Sequence, residues 1–84
     1  MDIRQLEYFR KIAETGSISE AARQLHLSQP PLSYQLRGLE EELGVQLFAR
    51  INRGVTLTDN GARLLPYIRE MASQKARLRQ AAFN

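Results

Sequence analysis

The chain has 84 residues, 12 Lys and Arg against 9 Asp and Glu for a formal net charge of +3, one histidine and no cysteine. Such a length fits one small domain with a modest core, so a partner subunit is expected to add to its stability. The composition excludes a disulfide framework or thiolate metal site, and His26 alone builds no metal centre. No apolar run nears the roughly 20 residues of a membrane span, and the charged start MDIRQLEYF lacks a signal-peptide core, which points to a soluble cytoplasmic chain.

Apolar residues Ile3, Leu6, Phe9, Ile12 and Ala13 recur at helical spacing, with Asp2 before them and Gly16 after, and predict an amphipathic helix over about residues 3–15. Ser17 opens Ser-Ile-Ser-Glu, a capping box in which Glu20 is expected to reach back to the cap, and a second helix with Ile18, Ala21, Ala22 and Leu25 inward. The paired alanines let a neighbouring helix approach closely. Ser28 is the expected cap of a third helix over about 29–43, with Pro30 and Pro31 in its first turn, Leu32, Leu36, Leu39 and Leu43 as its buried stripe, and Gly44 as its stop. Short helix, tight turn and second helix from Ser17 to Leu43 have the form of a helix-turn-helix.

Val45 to Leu57 reads as two extended segments joined by Asn52, Arg53 and Gly54, a β-hairpin wing. Thr58 then caps a last helix, with Asp59 at its positive end and Pro66 expected to bend rather than stop it. Within it Leu64, Ile68, Met71, Lys75, Leu78 and Ala82 step by four and three, the stripe of a packed helix pair with one basic interruption. Either the first half packs on the protomer's own core and the rest frays, or the helix dimerises with its twin, the preferred expectation. The expected fold is mainly α: a winged helix-turn-helix, three-helix core plus β-hairpin wing, over residues 1–57, followed by a long C-terminal linker and dimerisation helix over 58–84.

The face of the third helix opposite its leucines carries Gln29, Ser33, Tyr34 and Arg37, the uncharged donors and acceptors plus arginine that a major-groove reader needs. The Gln29 amide can pair with an adenine edge or finish the cap. Ser33 can reach base or phosphate, Pro30 and Pro31 can meet a thymine methyl or shape the turn, and Arg37 suits phosphate. Ser28 and the helix N-terminus attract phosphate, and Thr58 can bind backbone while capping. Arg53 fits insertion into a narrow minor groove or is a solvated turn arginine, and Arg50 stays at the wing base or meets phosphate. Glu40, Glu41 and Glu42 are expected to form a solvated helix end. No nucleophile with a base partner, glycine-rich phosphate loop or metal-ligand cluster is visible, so an enzyme is not expected.

The strings LEYFRKIAETGSISEAARQLHLSQPPLSYQLRGLEEELGVQLFAR and VTLTDNGARLLP resemble the DNA-binding domain of LysR-type transcriptional regulators, through the AA, SQPPLS, LEEELG, LF-x-R and LT-x-x-G elements in family order. The resemblance covers essentially the whole chain. It implies a bacterial regulator that binds a double-stranded DNA operator as a homodimer through the linker helix, with a tetramer as a higher assembly of the full-length protein. It implies base contact for Gln29 and minor-groove contact for Arg53. Tyr34 departs from the pattern, because many members carry arginine there, and a changed base preference is expected. Members continue into an effector-binding domain, absent here; a small-molecule effector is expected for that domain and no cofactor for this chain. The competing expectation is a winged-helix protein-protein interaction module, which would want apolar anchors on the third helix.

Overall fold

The computed structural model describes residues 1–83, and Asn84, the last residue of the expected linker helix, lies outside the described residues. Three helices come first, α1 (Ile3–Thr15), α2 (Ile18–Gln24) and α3 (Gln29–Leu43). Each starts at a polar cap, but the caps work differently from the sequence expectation. Asp2 Oδ1 accepts the Gln5 N–H at 2.9 Å and Gln5 Oε1 accepts the Asp2 N–H at 3.3 Å, so the reciprocal capping box belongs to α1. At α2 only half of the expected box forms. Ser17 Oγ accepts the Glu20 N–H at 3.1 Å, whereas the Glu20 carboxylate turns away to Arg23 Nε at 2.8 Å and Gln24 Nε2 at 3.0 Å. A charged guanidinium one turn along out-competes a neutral backbone donor. Ser28 occupies the cap position of α3 in extended conformation but makes no side-chain cap bond. The reason is covalent: a cap hydroxyl serves the second or third N–H of the helix, and here those residues are Pro30 and Pro31, which have none.

The inward stripes of these helices meet Leu47, Phe48 and Val55 in a core led by Phe9, Ile12, Leu32, Leu39 and Leu47. Phe9 and Phe48 pack with ring centroids 5.3 Å apart and planes tilted 45°. Two expected core residues escape: Ile3 is 52% exposed and Leu43 37%, both at helix ends that reach past their neighbours. A bond from Gln5 Nε2 to Gln35 Oε1, 3.1 Å, fixes α3 against α1. Between α2 and α3 the chain turns at His26, whose φ of 59° is left-handed.

The hairpin β1 (Phe48–Ile51) and β2 (Gly54–Leu57) pairs antiparallel, with Phe48 opposite Leu57 and Arg50 opposite Val55. Val45 to Leu47, expected to be extended wing, lies outside the sheet. Its polar groups are taken elsewhere, the Leu47 N–H by Glu40 Oε2 at 2.7 Å and the Leu47 carbonyl by the Thr58 N–H at 3.0 Å. Gly54, at φ 123°, lets β2 close on the α1–α2 corner: the Val55 N–H donates to the Gly16 carbonyl at 3.0 Å, and a Cβ on Gly54 would stand 2.2 Å from that oxygen.

The last helix, α4 (Asp59–Phe83), runs unbroken through Pro66, so the proline does not stop it. Its first turn lies so close to the wing base that a Cβ on Gly61 would meet the Leu47 carbonyl at 2.2 Å. Leu64, Leu65 and Ile68 pack on the protomer's own core, and Lys75 pairs with Glu7 of α1. The expected six-residue seam is therefore split. Leu64 and Ile68 are used within the protomer and Lys75 is neutralised there, while Met71, Leu78 and Ala82 remain exposed. No helix among the described residues is long and apolar enough to cross a membrane.

Candidate nucleic-acid interface

Burial of Leu32, Leu36 and Leu39 turns the opposite face of α3 outward. Gln29, Pro30, Pro31, Tyr34 and Arg37 are all exposed, as is Ser28 just before them, and Ser33 is half-buried. Tyr34, 70% exposed, is the large apolar side chain most exposed on this face. The first turn of α3 and the wing share one polar cleft of about 310 Å³, lined by Gln29, Arg50 and Arg53 together with Ser17, Ser19 and Asn52. The fold thus brings together the expected base-reading glutamine and the two wing arginines, which lie 21 and 24 residues apart from it in sequence.

Charge pairing separates these arginines from those of α1 and α2. Arg10 and Lys11 pair with Glu14, Arg23 with Glu20, and Lys75 with Glu7. Arg37, Arg50 and Arg53 form no ion pair among the described residues, so their charge is free to meet an anion. The Arg23 guanidinium, with help from Gln24, holds the exposed Glu20 carboxyl down at about 2 and is itself raised in return. That carboxylate is engaged within α2.

The Thr58 hydroxyl, expected to cap α4 and able to meet DNA backbone as well, donates its proton to the Gln46 carbonyl at 2.6 Å and accepts the Gly61 N–H at 3.1 Å, so it caps α4 and secures the wing base. One expectation changes. Glu40, expected to be solvated, is half-buried and turned to the wing, accepting from Leu47 and Phe48. Glu41 stays exposed and Glu42 pairs with the N-terminal amine of Met1. Ser19 and Asn52 were legible only as part of a cap and a turn; their place in the cleft depends on how the wing folds over the start of α2, which no local spacing encodes.

At the other end, α1 and α4 leave an apolar groove of about 610 Å³ whose lining includes Ile3, Leu6, Tyr67, Ile68, Met71 and Leu78. Met71 and Leu78, expected at a helix pair, lie in it. Ala82 is exposed farther along α4.

Comparison with known proteins places this geometry. The family model for bacterial regulatory helix-turn-helix proteins of the lysR family matches residues 3–62. The HTH-type transcriptional regulator ClcR of Pseudomonas putida is 47% identical over 83 residues, covering 92% of this chain and 28% of ClcR. BsdA of Bacillus subtilis (strain 168), also an HTH-type transcriptional regulator, is 53% identical over 72 residues, 84% of this chain and 25% of BsdA. The chain thus spans about a quarter of the length of these curated relatives. Among solved structures, the BenM DBD with catB site 1 DNA superposes with a TM-score of 0.93 at 38% identity, covering 98% of this chain and 92% of that one. The CbnR DBD–DNA complex gives 0.84 at 41% identity with both chains covered in full.

Proposed function

Because the chain belongs to the lysR family of bacterial regulatory helix-turn-helix proteins, we propose that it binds double-stranded DNA sequence-specifically in the service of transcription regulation. The observation that carries the proposal is the exposed polar strip of α3 beside a cleft whose arginines have no acidic partner among the described residues. In this reading α3 lies in the major groove. Gln29 pairs with a base edge, Ser33 and Tyr34 contact the neighbouring step, and Pro30 and Pro31 face a thymine methyl. Ser28, Arg37 and Arg50 meet phosphate: the Ser28 hydroxyl makes no cap bond that would compete. Arg53 at the hairpin turn enters an A·T-rich minor groove, where the potential is most negative.

Residues 1–57 act as the reading unit and the linker helix from residue 58 holds two copies at operator spacing, through the part of α4 that the protomer leaves uncovered. The relatives are transcriptional regulators, and this chain uses binding rather than bond-making chemistry. A cytoplasmic location and a small-molecule effector, sensed outside this span by a longer regulator, complete the proposal. A protein-interaction role for α3 is disfavoured, because its outer face presents Gln29, Ser33 and Arg37 where a protein groove would need apolar anchors.

Titration of affinity against salt tests the proposal. With about six phosphates neutralised per dimer, log affinity falls against log salt with a slope near −5. A salt-insensitive association overturns the electrostatic half of the reading.

A further inference from the structure

Glu40 takes four backbone donors that lie on the path from the reading helix to the wing. Its carbonyl accepts the Gly44 N–H at 2.8 Å and the Val45 N–H at 3.3 Å, closing α3. Its carboxylate Oε2 accepts the Leu47 N–H at 2.7 Å and the Phe48 N–H at 3.4 Å, where β1 begins. From the other side, Leu47 is held through its carbonyl by the Thr58 N–H, and Gln46 through its carbonyl by the Thr58 hydroxyl. The segment Gln46–Phe48 is thus gripped by α3 through Glu40 and by the cap of α4 through Thr58. Leu47 is fully buried at this point, so its N–H has no water to turn to when the carboxylate is removed.

We propose that Glu40 is a positioning residue for DNA recognition: its carboxylate sets the distance and angle between α3 and the wing, and so decides whether Arg53 reaches the minor groove while Gln29 sits in the major groove. The proposal rests on the DNA-binding reading above. A strand rises roughly 3.3 Å per residue, so β1 carries the wing turn about 13 Å from the clamp, and a rotation of about 10° at Phe48 becomes a displacement of about 2 Å at the turn. The anchor on the β2 side is Val55 on Gly16, and on the β1 side Glu40 is what ties the strand to α3 while Thr58 ties it to α4. Neither of the two following carboxylates can substitute, since Glu41 is exposed and Glu42 is engaged with the amino terminus.

The test uses the whole chain with Glu40→Ala and the isosteric Glu40→Gln, which keeps an acceptor oxygen without the charge and serves if the alanine variant does not fold. Amide hydrogen exchange comes first and needs no DNA. In Glu40→Ala the Leu47 and Phe48 amides exchange about tenfold faster than in the parent, and in Glu40→Gln, whose neutral oxygen is the weaker acceptor, by a smaller factor of about three, while the Phe9 and Leu32 amides change only with global stability. Unchanged exchange at Leu47 and Phe48 overturns the clamp. Affinity is then measured for a duplex recovered from a random pool by the parent chain, in a cycle with Arg53→Ala. Removing the Glu40 carboxylate weakens binding about tenfold in the parent and less than about twofold once Arg53 is gone, because both changes remove one contact. Equal weakening in both backgrounds overturns the positioning role and leaves a general stability effect. Should the parent chain recover no duplex, the DNA-binding reading fails, and the positioning role with it, whereas the exchange result still decides whether Glu40 clamps the wing.

Discussion

Phe9 and Leu78 are both large apolar residues on amphipathic helices, yet Phe9 is 1% exposed and Leu78 is 73% exposed. The front of the molecule closes its own accounts: three helices and the wing cover one another's stripes and no polar or charged residue is buried among the described residues. The rear of α4 does not, and past Ile68 its apolar residues line an open groove with α1. Identical residue types thus serve two purposes. Where neighbours exist in the same protomer they make the core, and where none exist they mark the surface that a second copy is proposed to cover.

The contrast can be broken most severely from the front. Phe9→Ala removes a fully buried ring packed on Phe48 and should cost about 3–5 kcal/mol, a large share of the stability of so small a domain, read as a fall in the denaturation midpoint. Leu78→Lys sharpens the same comparison from the rear. It should leave the protomer's fold intact while shifting sedimentation towards monomer and removing the concentration dependence of melting. Retention of the dimer would mean that the groove is covered by something else. The smallest effect belongs to Glu20. Its carboxyl is depressed to about 2, so whatever stability its pairing with Arg23 gives is complete above the ordinary carboxylate range and is lost as pH falls from there towards 2. Because the pair is exposed, the loss should show only as earlier fraying of α2 in exchange measurements, absent in Glu20→Gln.

Helices and wing were legible because each is announced locally: periodic leucines, Ser, Asp and Thr before helices, Gly16 and Gly44 after them, and Asn52-Arg53-Gly54 at the turn. What stayed hidden depends on contacts distant in sequence. Spacing alone shows Glu40, Glu41 and Glu42 as three equivalent charges, and only the return of Leu47 and Phe48 past the end of α3 singles out the first. Spacing likewise shows Lys75 as an interruption in a seam, whereas Glu7, 68 residues away in sequence, makes it an anchor between α4 and α1. The Ser28 cap failed for a reason present in the sequence, since the prolines that shape the first turn also remove the donors the hydroxyl would serve. Among the reading residues, exposure of Gln29, Tyr34 and Arg37 followed from the leucine stripe, but the proximity of Gln29 to Arg50 and Arg53 required the folded wing.

The most direct measurement is selection of duplexes from a random pool by the parent chain and by Gln29→Ala in parallel. The account predicts that the parent enriches paired half-sites about one helical turn, roughly 10 base pairs, apart with A·T-rich flanks, and that the variant keeps the spacing while losing about 1–3 kcal/mol of discrimination at one position in each half-site. Recovery of no preferred sequence, or of the same preferences from both proteins, would contradict it.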